Sequence, residues 1–343
     1  MKIALDATYS VGENLSGVGV YSRQMLSRLP ARDPDSHWLF CFRPHRFLRS
    51  FELDPPHNAG RRPLLERFGP RSTDLFHGLN QRMPAWRSRR TVCTFHDLFV
   101  LSEEYSTADF RRRFALQARQ AAERSDLIIA VSEFTARQAE DLLGVERERL
   151  RVVHHGVTIA GADPGMQREK MILSVGALQR RKNTTGLVAA FERIPAGWTL
   201  VLAGSLGFGG EQILRRIEQS PRRADIQVRG YVSRRELEGL YARAGIFAFP
   251  SLGEGFGMPV IDAMAAGVPV VSSNRTALAE VAGEAALLVD PTDTDAIASA
   301  LSRLIEDESL RAEMIRRGGE RAKGFSWEKA AMETWRVYEE LLC

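Results

Sequence analysis

Short apolar runs rich in Val, Ile, Leu and Phe recur along the chain. They alternate with helix-length stretches whose apolar residues repeat at helical spacing. In the first half the runs are KIALDA (2–7), WLFCF (38–42), DLFHG (74–78), TVCTFHD (91–97), LIIAVS (127–132) and LRVVHHG (150–156). Helices are expected over 19–29, 107–124 and 133–143, the last opening with Ser132 as an N-cap three residues before Thr135. Strands that are apolar almost throughout, with no polar alternation, belong to a parallel sheet covered on both faces. The segment TIAGADPGMQREK (158–170) has no apolar period and reads as a linker. The pattern then restarts with MILSVG (171–176), TLVLAG (199–204), IQVRG (226–230), GIFAFPS (245–251), PVVSS (269–273) and ALLVD (286–290), each followed by a helix-length segment.

The predicted fold class is therefore α/β, with two Rossmann-like doubly wound domains facing a central cleft. Residues 1–160 form the first domain and 161–326 the second. The amphipathic segment 327–343 is expected to pack back on the first. In such sheets ligands sit at the carboxyl ends of the strands, so the chemistry is expected in the loops that follow them.

A length of 343 residues suits two domains, and 44% hydrophobic with 26% charged residues is ordinary globular composition. No stretch approaches the ~20 apolar residues of a membrane span. The apolar start is short and carries Asp6, unlike a secretory signal. Cys41, Cys93 and Cys343 show no paired spacing, which argues against a disulfide framework or a thiolate metal site and favours the cytoplasm. Net charge is +4, but residues 41–92 hold eleven arginines against Glu52, Asp54, Glu66 and Asp74, a local excess of +7. Such a segment attracts phosphates or anionic lipids.

The most informative segment is FPSLGEGFGMPVIDAMAAGVPVVSSN (249–274). A buried strand runs into a glycine-rich turn, Gly253 to Gly257, and a helix starts near Pro259, a residue suited to the first helical position. Glycines let backbone amides approach a ligand, and the helix start offers N–H groups and a positive dipole end to a diphosphate. Glu254 before the helix and Asp262 one turn inside it are expected to face the same cleft and to accept from sugar and ribose hydroxyls. In SVGALQRRKNTTGLVAAF (174–191) a strand ends at Gly176, and Arg181 and Lys182 stand at a helix start. The dipole disfavours cations there unless they hold an anion. GENLSGVGVYSRQML (12–26) reads as a loop carrying Gly17 and Gly19 ahead of a helix. His96-Asp97 ends a strand at the ligand-facing edge.

These segments together resemble the retaining two-domain (GT-B) glycosyltransferases of family GT4, also called group 1, and are similar to bacterial polysaccharide mannosyltransferases. The family signature is Glu, seven residues, Glu; this chain has Glu254 and, one methylene shorter, Asp262. The resemblance implies a hexosyltransferase that retains anomeric configuration. Glu254 would contact the donor sugar and Asp262 the ribose, with Gly255, Phe256, Gly257, Met258 and Pro259 lining the donor pocket. Arg181 and Lys182 would neutralise the leaving diphosphate beside Gly176. Gly17 and Gly19 would approach the phosphate from the other domain, His96 would lie near the reacting carbon, and Tyr231 and Val232 would meet the base. No metal or other cofactor is expected. Asp33-Pro34-Asp35 sits in a turn, and Asp293-Thr294-Asp295 looks like a helix cap rather than a metal site. The implied donor is GDP-mannose first and a UDP-hexose second. The acceptor is a glycan or a lipid pyrophosphate, with peripheral association at the inner membrane face and no nucleic acid partner.

The alternative is a nucleotide-sugar epimerase on the same fold. An NAD-dependent oxidoreductase would need GxGxxG after the first strand, which the glycines there do not complete. A non-enzymatic sugar- or lipid-binding protein would have no use for Glu254, Lys182 and His96 together.

Overall fold

Parallel strands buried on both faces need apolar side chains in both alternating sets, and the second half of the chain shows this directly. Leu200 and Leu202 pack with Ile172, Ile246 and Ala248 on one face of a sheet. Val201 and Ala203 pack with Leu173, Phe247 and Phe249 on the other. The computed structural model describes all residues except 71, 160–166 and 343. Most of the linker expected at 158–170, together with Arg71 and Cys343, thus lies outside the described residues.

The chain divides into two compact units, Met1–Gly156 with Ser326–Cys343, and Val157–Phe325. The first is built on β1 (Lys2–Asp6), β2 (His37–Phe42), β3 (Ala59–Pro63), β4 (Leu75–Gly78), β5 (Arg90–Phe95), β6 (Leu127–Ala130) and β7 (Leu150–Val152). The second is built on β8 (Met171–Val175), β9 (Thr199–Ala203), β10 (Ile226–Gly230), β11 (Ile246–Phe249), β12 (Val270–Ser273) and β13 (Leu287–Val289). The orders are β3-β2-β1-β4-β5-β6-β7 and β10-β9-β8-β11-β12-β13, and every pairing is parallel. Each order reverses once, between β1 and β4 and between β8 and β11. At such a switch point adjacent connections leave in opposite directions and open a crevice at the carboxyl edge.

The expected strands are present, and β3 is an addition. Its sequence, AGRRP, has no apolar run because it pairs only with β2 and lies at the sheet edge, where Arg and Pro are tolerated. Ser132 caps the helix Glu133–Leu143, its hydroxyl accepting from the Thr135 amide at 3.0 Å. One expectation is corrected. The first helix starts at Gly17, not after Gly19, so both glycines lie in its first turn and not in a preceding loop. The Ser16 hydroxyl caps that turn, accepting from the Gly19 amide at 3.3 Å.

The helix Trp327–Leu342 belongs to the first unit. It buries Trp327, Ala330, Ala331, Thr334, Val337 and Tyr338, a stripe at helical spacing. It lies against the helix Gly17–Arg32, with Thr334 Oγ1 3.9 Å from the Met25 sulfur and Arg28 paired to Glu328 at 2.8 Å.

Candidate functional site

In the second unit the loops after β8 and β11 emerge side by side at the switch point, and they carry Arg181, Lys182 and Glu254. After Val175 the chain turns through Gly176 at φ +141°. A Cβ there would lie 3.3 Å from Lys182 Cε, so the missing side chain gives the lysine stem its path. A 3-10 turn, Arg180–Lys182, then ends on Asn183 in the left-handed region at φ 54°. Asn183 donates to the Pro291 carbonyl at 2.6 Å and starts the helix Thr184–Phe191.

Both cations converge on one oxygen. Glu254 Oε1 lies 2.6 Å from Lys182 Nζ, 2.8 Å from Arg181 Nη1 and 2.7 Å from Ser251 Oγ. Arg181 also donates to the Gly253 carbonyl, and Lys182 Nζ stands 4.6 Å above the Phe249 ring. The Glu254 amide donates to Thr276 Oγ1 at 3.2 Å, and Thr276 is itself a non-glycine residue at positive φ, 61°. Burial works to raise the Glu254 pKa, but Arg181, Lys182 and the hydrogen bonds from Lys182 and Ser251 outweigh it and hold the carboxyl at about 2. The anion that the adjacent cations required is thus supplied first by the chain itself. Ser251 and Thr276 were not singled out from the sequence; the position of Ser251 three residues before Glu254 was the only signal.

The helix Met258–Ala265 begins beside this cluster with Gly257 as its N-cap at φ 101°, no side-chain cap, and Pro259 in its first turn. A Cβ at Gly257 would come within 2.4 Å of Leu278 Cδ2. The Phe256 side chain is buried with its ring edge-on to Phe325, so what the turn can offer a ligand at this residue is main chain. Asp262 is anchored by different partners from Glu254. Its Oδ1 accepts from the amides of Thr158 at 2.7 Å and Ile159 at 3.3 Å, whereas Glu254 is held by Lys182, Arg181 and Ser251. Burial raises the Asp262 pKa to about 7 against the lowering effect of those amides and of Arg234. After β10, Tyr231 is exposed, while Val232 packs on the apolar core. Asp293 caps the helix Thr294–Glu306 by accepting from the Ala296 amide at 2.9 Å, and Asp33 ends the first helix, as their sequence context indicated.

In the first unit, Gly17 is exposed at the start of its helix and Gly19 is buried. A Cβ at Gly19 would meet the Tyr9 carbonyl oxygen at 2.7 Å, so the residue permits close packing of the helix on the turn after β1. His96, after β5, sits in a cluster that was only partly legible. Its Nε2 donates to the Leu79 carbonyl at 2.9 Å, which makes Nδ1 the acceptor, and His155 Nε2 lies 3.4 Å from that atom with the two rings stacked. Tyr21 stands edge-on to His96 with ring centroids 4.8 Å apart. Below them His77 bridges Thr94 Oγ1 at 2.8 Å and Tyr338 OH at 2.5 Å. Burial lowers the pKa of His77 to about 3 and of His96 to about 4, and it carries His155 well below the usual value, so all three are neutral at pH 7. His155 was given no role from the sequence, because VHHGV offers no sign that it stacks on a residue 59 positions away.

Among the described residues no group of His, Cys, Asp and Glu could hold a metal ion. Comparison with known proteins finds the family described as Glycosyl transferases group 1 over residues 163–321 and Glycosyltransferase Family 4 over 15–160. The chain is 33% identical over 284 residues to the O-antigen chain mannosyltransferase B of Escherichia coli, covering 78% of this chain and 74% of that protein. It is 29% identical to the serotype-specific mannosyltransferase WbdA of E. coli over 71% of its own length, and there it spans only about a third, 32%, of the relative. Solved structures of similar fold include sucrose-phosphate synthase from Thermosynechococcus elongatus, with TM-score 0.78, 21% identity and 99% of each chain covered. Another is Anabaena HepE in complex with UDP and glucose, with TM-score 0.74, 17% identity, and 99% and 98% covered. None of these four gives support to the epimerase reading.

Proposed function

The chain belongs to the group 1, family 4 glycosyltransferases with the two-domain GT-B fold, and from that premise we propose that it moves mannose from GDP-mannose to a growing surface polysaccharide. In this reading the anomeric configuration is retained, no metal takes part, and the acceptor is a glycan or a lipid pyrophosphate at the cytoplasmic face of the inner membrane. A UDP-hexose is the second choice of donor. The likeness to an O-antigen mannosyltransferase supports mannose, and the UDP complex of HepE keeps the uridine donor as the alternative.

One observation carries the reading: a buried, ionised Glu254 held by Arg181 and Lys182 at the switch point, beside a helix start capped only by glycine. The donor's diphosphate meets Arg181, Lys182 and the helix dipole. Lys182 has three N–H donors, so it can keep its bond to Glu254 and still turn others toward a phosphate oxygen. As the bond from the anomeric carbon to the phosphate oxygen breaks, Arg181 and Lys182 stabilise the charge on the departing group, which is the task a divalent cation performs in other transferases. The acceptor hydroxyl attacks from the same face and passes its proton to the leaving phosphate, which accounts for retention. Glu254 stays ionised and stabilises the positive charge that builds on the sugar. Asp262 would meet the ribose through Oδ2, since Oδ1 is engaged by two backbone amides. His96, neutral and hydrogen-bonded through both ring nitrogens, shapes the acceptor side without exchanging a proton.

Nucleoside diphosphates titrated against thermal unfolding test the site, because a ligand that binds only the folded state raises Tm. GDP is expected to raise it most. No shift with GDP, UDP or dTDP would sink the assignment, and loss of transfer with EDTA that a divalent ion restores would refute metal independence.

A further inference from the structure

Thr276 is unfavourable to the fold in two ways at once. Its backbone stands at φ 61° and ψ −151°, a region that glycine enters freely and that a β-branched residue occupies only under strain. It is also the N-cap residue of the helix Ala277–Ala282, where a threonine hydroxyl ordinarily accepts from one of the first free amides. The Thr276 side chain makes no such capping bond. Its hydroxyl accepts instead from the Glu254 amide at 3.2 Å. The Ala277 amide donates to the Glu254 carbonyl at 3.4 Å, so the main chain of Glu254 is tied on both sides to the loop after β12. These loops meet because β11 and β12 are paired neighbours. A strained residue persists only where its surroundings over-determine it, and both flanks of Thr276 are fixed. Before it, the Arg275 amide donates to Ser273 Oγ at 3.1 Å and the Arg275 guanidinium pairs with Asp290 at 2.9 Å. After it, Leu278 is fully buried and fills the space where a Cβ on Gly257 would lie.

We propose that Thr276 is a positioning residue for Glu254, and that its strain is retained because it aims the hydroxyl at the Glu254 amide. The carboxylate end of Glu254 is gripped by Lys182, Arg181 and Ser251, and the main-chain end by Thr276 and Ala277. The first grip keeps the charge; the second fixes the point from which the charge reaches the donor sugar. A threonine needed only for packing would be matched or bettered here by glycine, which adopts this backbone without strain. A threonine needed only as a cap would turn its hydroxyl to its own helix. With the second grip gone, Glu254 stays ionised and paired but shifts with the turn Gly253 to Gly257. A displacement of about 1 Å at a reacting centre can lower the rate about 100-fold. The inference rests on the role in transfer given to Glu254 above.

Transfer kinetics, thermal unfolding and amide hydrogen exchange of the full-length protein and three variants test it. In Thr276→Gly the relief of strain offsets the lost hydrogen bond, so Tm is expected to stay within about 3 °C of wild type. Its kcat should fall about tenfold or more, with donor KM changed less than about threefold, because the loss falls on the transition state. Thr276→Val keeps the branched shape without the hydroxyl and should lose kcat to the same extent. Thr276→Ser keeps the hydroxyl and should restore kcat to within about threefold of wild type. The Glu254 amide should exchange slowly in wild type and in Thr276→Ser, and faster in the other two. Wild-type kcat in Thr276→Gly or Thr276→Val, or a Thr276→Ser no better than either, overturns the positioning role. So does a Thr276→Gly whose Tm and kcat drop together, which marks a residue that only supports the fold. Slow exchange at Glu254 with no transfer by the wild-type protein from GDP-mannose or a UDP-hexose brings down the transferase reading and, with it, the task assigned to Thr276.

Discussion

Glu254 is a carboxylate kept charged in a place where burial alone would neutralise it. Replacing it with Gln keeps the volume and removes the charge, so Arg181 and Lys182 lose the carboxylate on which both converge. Breaking a buried ion pair from one side typically costs about 3–5 kcal/mol, and losing a stabilising charge at a reacting centre lowers turnover about 100-fold or more. Glu254→Gln is therefore expected to fold, to unfold at lower denaturant, and to be nearly inactive. Circular dichroism, a urea titration and single-turnover transfer check the three parts. Wild-type turnover in this variant would remove Glu254 from the chemistry. The sequence made Glu254 and Lys182 visible because each stands next to a strand end and a glycine. It did not show that they touch, since they are 72 positions apart and meet only because β8 and β11 are neighbours.

Among the elements, the helix Met258–Ala265 depends most on a single residue. Gly257 combines a left-handed backbone at φ 101° with a Cβ position 2.4 Å from Leu278. Gly257→Ala is expected to cost about 1–3 kcal/mol from backbone strain, with the steric conflict added, and to weaken nucleotide binding by shifting the helix start. Gly239, inside the helix Arg234–Arg243, has ordinary φ and open space where a Cβ would go. Gly239→Ala should gain about 0.5–1 kcal/mol through lower chain entropy in the unfolded state. Thermal unfolding of the two variants side by side checks the opposite signs. The GxG near the first strand belongs to the same lesson. Two glycines suggested a loop, yet they form the first turn of a helix, because Gly19 must pack against the Tyr9 carbonyl and Ser16 supplies the cap that the sequence alone did not rank above them.

The first unit is completed from both ends of the chain. Tyr338 and Trp327, from the last helix, close over His77 and His155, whose other partners include Thr94 on β5 and Tyr21 on the first helix. This makes the unit's stability depend on pH. Its buried imidazoles have pKa values below the 6.5 of an unfolded chain, so the unfolded state takes up protons first as the solution is acidified. Stability from these groups is complete above pH 6.5 and declines as pH falls from 6.5 through about 4. Urea midpoints followed by a first-unit probe should fall over that window, and Tyr338→Phe, which removes the hydroxyl on His77, should lower the whole curve while keeping its slope. A flat midpoint from pH 7 to 4 would contradict the neutral cluster.

The order of apolar runs determines two α/β halves, and the glycine, acid and cation spacings mark the strand ends that carry chemistry, because both kinds of information are local. Tertiary structure alone decided which strand ends are adjacent. Hence only the fold brings Lys182 and Arg181 onto Glu254, ties Asp262 to the backbone amides of residues 158 and 159, and stacks His155 on His96. Hydrogen bonds and ion pairs reach about 3 Å, and parallel topology sets which distant residues come that close.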